Sequence, residues 1–181
     1  MALILDGNGT MTVGNGSIVG LNAGGLPDAS IIQADLAANI AGNGPAFMAA
    51  CASLTLAAST FTKMPFSSKT FDTNNNYDAT TNYRFTPTVA GYYWIKVQYF
   101  LGVSTGRTVA SIYKNGGDVC QTLVLSSGTN GGISVVSQGL ILFNGTSDYV
   151  EAYGYQESAG TGAVNTNGSL TMFCGYMVRA A

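Results

Sequence analysis

The stretch GYYWIKVQYFL, Gly91 to Leu101, decides the fold of this chain. Side chains alternate between two faces along a β-strand, so Tyr93, Ile95 and Val97 share one face and Trp94 lies on the other. An ordinary strand of a β-sandwich has one core face and one solvent-facing side. Bulky residues on both sides of this strand therefore predict that its outer face is covered too.

The segment near the C-terminus, SLTMFCGYMVR, repeats this pattern. Met172 and Tyr176 alternate with Phe173 and Met177, so both faces are again apolar. Only 9% of the residues are charged, against about 25% in an average protein. Two double-faced strands in such a chain favour association with further copies of it, since obligate interfaces resemble a domain core. The alternative is a thick core within a monomer.

The chain beyond Pro45 is rich in short runs of Val, Ile, Thr, Tyr and Phe, separated by Gly-rich turns. Asn-Gly pairs, which favour tight hairpin turns, occur at Asn115, Asn130, Asn144 and Asn167. This pattern predicts an all-β, antiparallel two-sheet sandwich, most simply a jelly roll. The predicted strands are Ala46–Leu54, Phe61–Phe66, Tyr83–Pro87, Gly91–Leu101, Thr108–Lys114, Val119–Ser126, Ile133–Phe143, Tyr149–Tyr155 and Ser169–Arg179.

Composition excludes several classes of function. The net charge is −2 and Lys and Arg form no cluster, so we expect no nucleic-acid partner. Histidine is absent, which removes the most common general base and metal ligand. Three widely spaced cysteines contain no Cys-x-x-Cys pair and predict neither a zinc site nor a disulfide framework. We expect no enzyme and no cofactor.

The N-terminal 44 residues differ from the rest and predict a separate arm, followed by a domain at residues 45–181. The arm is rich in Gly and Asn, and Asp28 or Ser30 could cap one short helix within it. So short a segment cannot bury its own apolar side chains, so we expect them to contact other proteins. The candidate attachment residues are Leu3, Ile4, Leu5, Ile31, Ile32, Leu36 and Ile40.

The first residues lack the basic and apolar regions of a signal peptide, and no apolar run is long enough to span a membrane. We therefore expect synthesis in a cytoplasm and no membrane insertion.

Two motifs suggest catalysis but have the wrong geometry for it. Ser111 and Lys114 match a Ser-x-x-Lys pattern that requires a helix, whereas a strand places them on opposite faces. Asp148 and Glu151 would likewise diverge, which argues against a glycosidase pair.

The segment DTNNN begins like a calcium-binding loop, with Asp72, Asn74 and Asn76 as candidate ligands. Tyr77 and Tyr83 stand where such a loop has glycine and glutamate. An Asn-rich turn is the alternative and the simpler interpretation.

The region around the opening stretch resembles the signature of C1q-like globular domains, relatives of the tumour-necrosis-factor jelly roll. The matching residues are Phe66, Asp72, Tyr77, Phe85, Gly91 and Tyr93, with Ile95 and Val97 at positions where the family prefers aromatic residues. One more residue than usual separates Tyr77 from Phe85. The resemblance implies a ten-stranded jelly roll that forms a homotrimer, and the candidates for its core and subunit interface are Tyr93, Ile95, Val97, Phe173 and Tyr176.

The arm is similar to leaders that precede C1q-like modules in tailed-bacteriophage virion proteins. This resemblance implies a non-enzymatic homotrimeric structural protein, made in the bacterial host cytoplasm and carried on the virion surface. Its arm would hold the major capsid protein or another virion protein, and the trimer would decorate and stabilise the capsid. The alternative is the tip of a tail or head fibre that binds a host-surface receptor or glycan.

Overall fold

The computed structural model describes residues 43–52, 54–102, 105–126, 131–158 and 160–181. These residues form thirteen β-strands and no helix, so the all-β prediction is confirmed. The strands are β1 Ala46–Ala50, β2 Thr55–Leu56, β3 Thr62–Lys63, β4 Ser68–Asp72, β5 Tyr77–Asp78, β6 Arg84–Phe85, β7 Gly91–Leu101, β8 Gly106–Lys114, β9 Gly117–Ser126, β10 Ile133–Phe143, β11 Val150–Gln156, β12 Gly162–Asn165 and β13 Met172–Ala180.

The strands form two antiparallel sheets, as predicted. The seven-stranded sheet has the order β2-β12-β7-β13-β1-β4, and β10 pairs with β7 along the whole length of both strands. The six-stranded sheet has the order β5-β6-β11-β8-β9, and β3 also pairs with β11. Strand β7 pairs with β10, β12 and β13 and is therefore central to the first sheet.

The sequence predicted β7 and β10 with their observed bounds, because both are long and rich in β-formers. It missed β2, β4, β5 and β12, and its first predicted strand, Ala46–Leu54, extends past the end of β1 at Ala50. All five residues of β4 are polar or exposed, so they lack an alternating apolar pattern. Strands of two residues, such as β5, are too short for any periodicity to show.

The core lies between the two sheets and is dominated by aromatic rings. Phe47 of β1 stacks on Tyr77 and Phe85, with ring centroids 4.9 and 4.3 Å apart. Phe173 of β13 meets Phe47 edge-on. Next to them, a Cβ on Gly175 would lie 2.5 Å from Cδ1 of Ile95, so this position has no room for a side chain. Aromatic packing of this kind stabilises a core beyond its buried area.

Tyr99 ties the two sheets together through its hydroxyl group. It is fully buried on the inner face of β7, and its single hydroxyl hydrogen lies between the carbonyl oxygens of Val109 and Tyr155, at 2.7 and 3.1 Å from the hydroxyl oxygen. Burial raises the pKa of Tyr99 well above its ordinary value. The hydroxyl thus contacts backbone carbonyls of both β8 and β11, so it links β7 to two strands of the other sheet.

One of the predicted Asn-Gly turns has the backbone that a two-residue hairpin requires. Between β8 and β9, Asn115 and Gly116 both have positive φ, 53° and 84°. The turn at Asn167 works differently, because the Asn167 side chain accepts hydrogen bonds from the amide and hydroxyl of Ser169. The attachment candidates of the N-terminal arm and its expected helix lie outside the described residues. The boundary at residue 44 stays a prediction.

Candidate functional site

The tertiary structure distinguishes the two faces of β7. Tyr93, Ile95 and Val97 point between the sheets and have no exposed surface, whereas Tyr92 and Trp94 point outward. Phe173 is likewise fully buried, and of the five predicted core or interface residues only Tyr176 lies outside, with 54% of its surface exposed. The alternation along β7 predicted which residues share a face. The role of these residues at a subunit interface stays a prediction.

Around Tyr176, the outside of the seven-stranded sheet carries an apolar surface. Trp94 of β7 lies in register between Leu140 of β10 and Tyr176 of β13. The next row pairs Leu142 with Tyr92. We use the name outer apolar face for six residues, Tyr92, Trp94, Leu140, Leu142, Tyr176 and Val178. All but the half-buried Trp94 are exposed, and a contiguous apolar patch of this kind marks an interaction surface.

A single lysine lies on the same side of this sheet. Lys96 lies in register between Gln138 and Cys174, and among the described residues it forms no ion pair. Burial raises the pKa of the Cys174 thiol, and the positive charge of Lys96 opposes that shift. The thiol is therefore mostly protonated near neutral pH and acts as a small apolar group.

A second exposed apolar surface follows the edge strand β9. Its outward side chains include Val119, Leu123 and Leu125, of which Leu125 is 72% exposed. We call these three residues the β9 row. Edge strands with exposed apolar side chains pair or pack with other chains unless something covers them. The described chain thus presents two apolar surfaces that are different from each other.

The carboxylates considered for catalysis are each paired with their own cation. Glu151 pairs with Lys63, and Asp148 lies 2.8 Å from the Nζ atom of Lys114. Lys114 lowers the pKa of Asp148, whereas a glycosidase needs one carboxyl group with a raised pKa. Ser111 donates its hydroxyl hydrogen to Asp118, and Lys114 donates to the Leu142 carbonyl rather than to Ser111. These contacts are those of structural side chains.

The calcium-loop candidate is closed by hydrogen bonds within the protein. Asp72 accepts the backbone N–H groups of Asn76 and Tyr77, each at 3.0 Å, and pairs with Lys69. The Asn74 side-chain oxygen accepts a hydrogen bond from the Thr73 hydroxyl, and the Asn76 side-chain oxygen accepts one from the Thr88 backbone N–H. The candidate oxygens therefore serve as acceptors for protein donors, in the manner of an Asp-capped turn.

Beside that turn lies a polar cleft of about 460 Å³. Its walls come from the segments around β5 and β6, and they carry two cations, one carboxylate, and several amide and hydroxyl groups. The cleft is lined by charged and polar side chains that include Lys69, Asn75, Asp78, Asn82, Arg84 and Thr86.

Comparison with known families and structures identifies the domain. The model of the C1q domain family matches residues 46–178, which is most of the chain.

The chain belongs to the C1q domain family.

Among solved structures, the C1q domain is similar to murine APRIL at pH 5.0, with 10% identity and a TM-score of 0.58 over 74% of this chain and 98% of that one. The globular domain of zebrafish complement 1qA protein gives 18% identity and a TM-score of 0.51, with 76% and 99% covered. Eiger TNF from S. frugiperda gives 10% identity and a TM-score of 0.53, with 79% and 95% covered. Comparison with curated protein sequences gave no match.

C1q and TNF-like domains commonly form trimers and typically act as ligand-binding or structural modules rather than enzymes. At these identities the similar structures support the fold alone. No helix in the described part of the C1q domain is long and apolar enough to cross a membrane.

Sequence reasoning missed several residues that the fold makes prominent. Leu140, Leu142 and the β9 row could have been found, because alternation along β9 and β10 places them on one face. Arg84 could not have been found. Its position in a cleft depends on the pairing of β6 with β11, which is distant from it in sequence, as well as with β5.

Proposed function

We propose that this C1q domain forms a homotrimer and serves as a non-enzymatic structural protein of a bacteriophage virion. In this proposal the N-terminal arm attaches the trimer to the capsid, which the trimer decorates and stabilises. The observation that carries the proposal is the outer apolar face, which needs a cover that the described chain does not supply.

The two apolar surfaces suit a closed ring of three chains. A ring with threefold symmetry uses heterologous contacts, in which one surface of a subunit packs on a different surface of the next. The outer apolar face and the β9 row provide two such surfaces on one chain. We propose that they pack against each other across each subunit boundary, so that each would be buried once per subunit.

The virion role has its support in the sequence. The arm resembles leaders of phage virion proteins, and the low charge content agrees with a protein that is held by apolar contacts. Arm residues from Ala2 to Ile40, including Leu3, Ile4, Leu5, Ile31, Ile32, Leu36 and Ile40, would bind the capsid protein.

Two measurements test this proposal. The mass of the full chain in solution should correspond to three chains at micromolar concentration. Deleting residues 2–40 should leave the trimer mass unchanged and abolish binding to undecorated capsids. A monomeric mass would contradict the trimer, and normal decoration by the truncated protein would contradict the role of the arm.

A second candidate function is the tip of a tail or head fibre that binds a host-surface glycan. The polar cleft favours this candidate, because concave surfaces with converging polar groups are typical ligand sites. If it is correct, the purified protein should bind susceptible host cells and reduce phage adsorption. Absence of cell binding would contradict it.

A further inference from the structure

The polar cleft contains one cation whose donors are not used within the described chain. The Arg84 guanidinium lies 4.4 Å from the centre of the Tyr149 ring, and it forms none of the ion pairs seen among the described residues. Stacking on an aromatic ring restrains a guanidinium group but leaves the N–H groups at its rim available. Arg84 is therefore held in place with open donors.

The two carboxylates nearest to Arg84 in register are occupied by other donors. Asp78 of β5 lies opposite Arg84 of β6 in the strand register. Its carboxylate oxygens accept hydrogen bonds from Thr80, Thr81 and Asn82. On the other side, Glu151 binds Lys63. Because the backbone amides of Thr81 and Thr80 lower the pKa of Asp78 far below its ordinary value, that side chain keeps its negative charge.

The cleft thus offers hydrogen-bond groups of both kinds with nearly balanced charge. Lys69 is matched by Asp72, and Arg84 lies beside Asp78. The Thr86 hydroxyl group has no hydrogen-bond partner among the described residues and lines the cleft together with the side chains of Asn75 and Asn82. A ligand with many hydroxyl groups, each both donor and acceptor, fits this set better than a strongly charged ligand does.

We infer that the cleft binds an uncharged, hydroxyl-rich saccharide, with Arg84 donating hydrogen bonds to its hydroxyl oxygens and with Thr86 and Asn82 completing the contacts. The volume of about 460 Å³ is in the range of small-molecule sites and accommodates one or two sugar rings. The biological role of this binding rests on the fibre-tip candidate. The binding itself concerns a single chain and needs neither a trimer nor a virion.

The test is saturation-transfer NMR of the full-length protein with uncharged oligosaccharides of glucose, galactose, mannose and N-acetylglucosamine, and with sialyllactose as the acidic comparison. We expect binding of at least one uncharged sugar, unaffected by high salt because no ion pair forms. Arg84→Met should weaken that binding by about tenfold or more, the loss of one well-placed hydrogen bond to a charged group. Thr86→Val should weaken it by a smaller factor.

Arg107→Met is the matched control, since Arg107 lies on the same sheet and outside the cleft, beside Glu157. It makes the same chemical change and should leave sugar binding intact. Thr86→Val is nearly isosteric, so it still tests sugar binding by the cleft if Arg84→Met does not fold.

No binding of any uncharged sugar would overturn the inference. So would binding of sialyllactose alone with loss in high salt, or binding that both cleft variants leave unchanged.

The inference and the fibre-tip function fail separately. Sugar binding without binding to host cells would keep the inference and contradict the fibre tip. Binding to host cells without binding to any uncharged sugar would do the reverse.

Discussion

The outward surfaces of the two sheets differ in how many of their side chains have partners within the described chain. Away from its edge strand β9, which carries the β9 row, the six-stranded sheet has pairs within the chain on its outside: Lys63 pairs with Glu151, Arg107 pairs with Glu157, and Tyr113 stacks on Tyr153 at 4.1 Å. The outside of the seven-stranded sheet has an apolar face and one lysine, Lys96, with no ion pair among the described residues.

This difference indicates that the outer apolar face is the surface on which further chains assemble. A surface whose charges and aromatic rings already have partners gains little from a second chain, whereas exposed Leu and Tyr side chains gain from being covered. The same strand, β7, supplies both the buried core and the uncovered outside, so fold and assembly are coupled through it.

The largest effect should come from placing a charge on the outer apolar face. Tyr176→Glu should weaken trimer formation by about 100-fold or more, because an interface of this kind does not tolerate an unpaired buried carboxylate. Phe61→Glu, at an exposed aromatic residue of the other sheet, is the control and should leave the mass unchanged. Sedimentation over a range of concentrations measures both. Equal effects of the two variants would contradict the contrast between the sheets.

Alkaline pH should act on the core that both surfaces share. Burial raises the pKa of Tyr93 to about 12 from 10.0, and it raises those of Tyr77 and Tyr99 further. The folded chain then holds these protons more tightly than the unfolded chain. The stability they contribute is complete below about pH 10 and falls as the pH rises through the folded values, by about 1.4 kcal/mol per pH unit for each tyrosine.

Urea unfolding at a fixed protein concentration across this range measures the effect. Tyr93→Phe should make the decline shallower, since it removes one of the three protons. A free energy of unfolding that stays constant from pH 10 to pH 12 would contradict the prediction.

A smaller effect should follow from breaking an ion pair on the six-stranded sheet. The Glu151 side chain is 9% exposed and its partner Lys63 is 32% exposed, so Glu151→Ala leaves a partly buried cation unpaired. We expect a loss of about 1–2 kcal/mol in the free energy of unfolding, between the values for surface pairs and buried pairs. Glu157→Ala, at a more exposed pair, should cost less than Glu151→Ala does. The reverse order would show that burial does not set the strength of these pairs.

The smallest effect concerns Lys96. Lys96→Met removes a charge from beside the outer apolar face and replaces it with an apolar chain of similar length. Replacement of a charge at an interface by an apolar residue is often neutral or stabilising. Trimer formation should therefore stay equal or become up to about tenfold stronger. A weaker trimer would mean that Lys96 has an acidic partner across the subunit boundary.

Much of the fold could be predicted from the sequence because its signals are local. The alternation in β7 and β10, the Asn115-Gly116 hairpin and the C1q spacing each need only neighbouring residues to be recognised. The candidate sites were harder. Of the predicted interface residues only Tyr176 lies outside, and the candidate calcium ligands are hydrogen-bonded within a turn.

The antiparallel β-sandwich beyond Pro45 and the two apolar sides of β7 could both be predicted from the order of residues alone. Alternation is a property of one strand, so one strand is enough to reveal it. Only the tertiary structure decided which side is the core, since that depends on where the second sheet packs. It also decided that Asp78 and Glu151 bind other donors and leave Arg84 open in a cleft. The Asp78 hydrogen bonds are local, but the contacts of Glu151 with Lys63 and of Arg84 with Tyr149 join segments that are distant in sequence, and no local pattern records them.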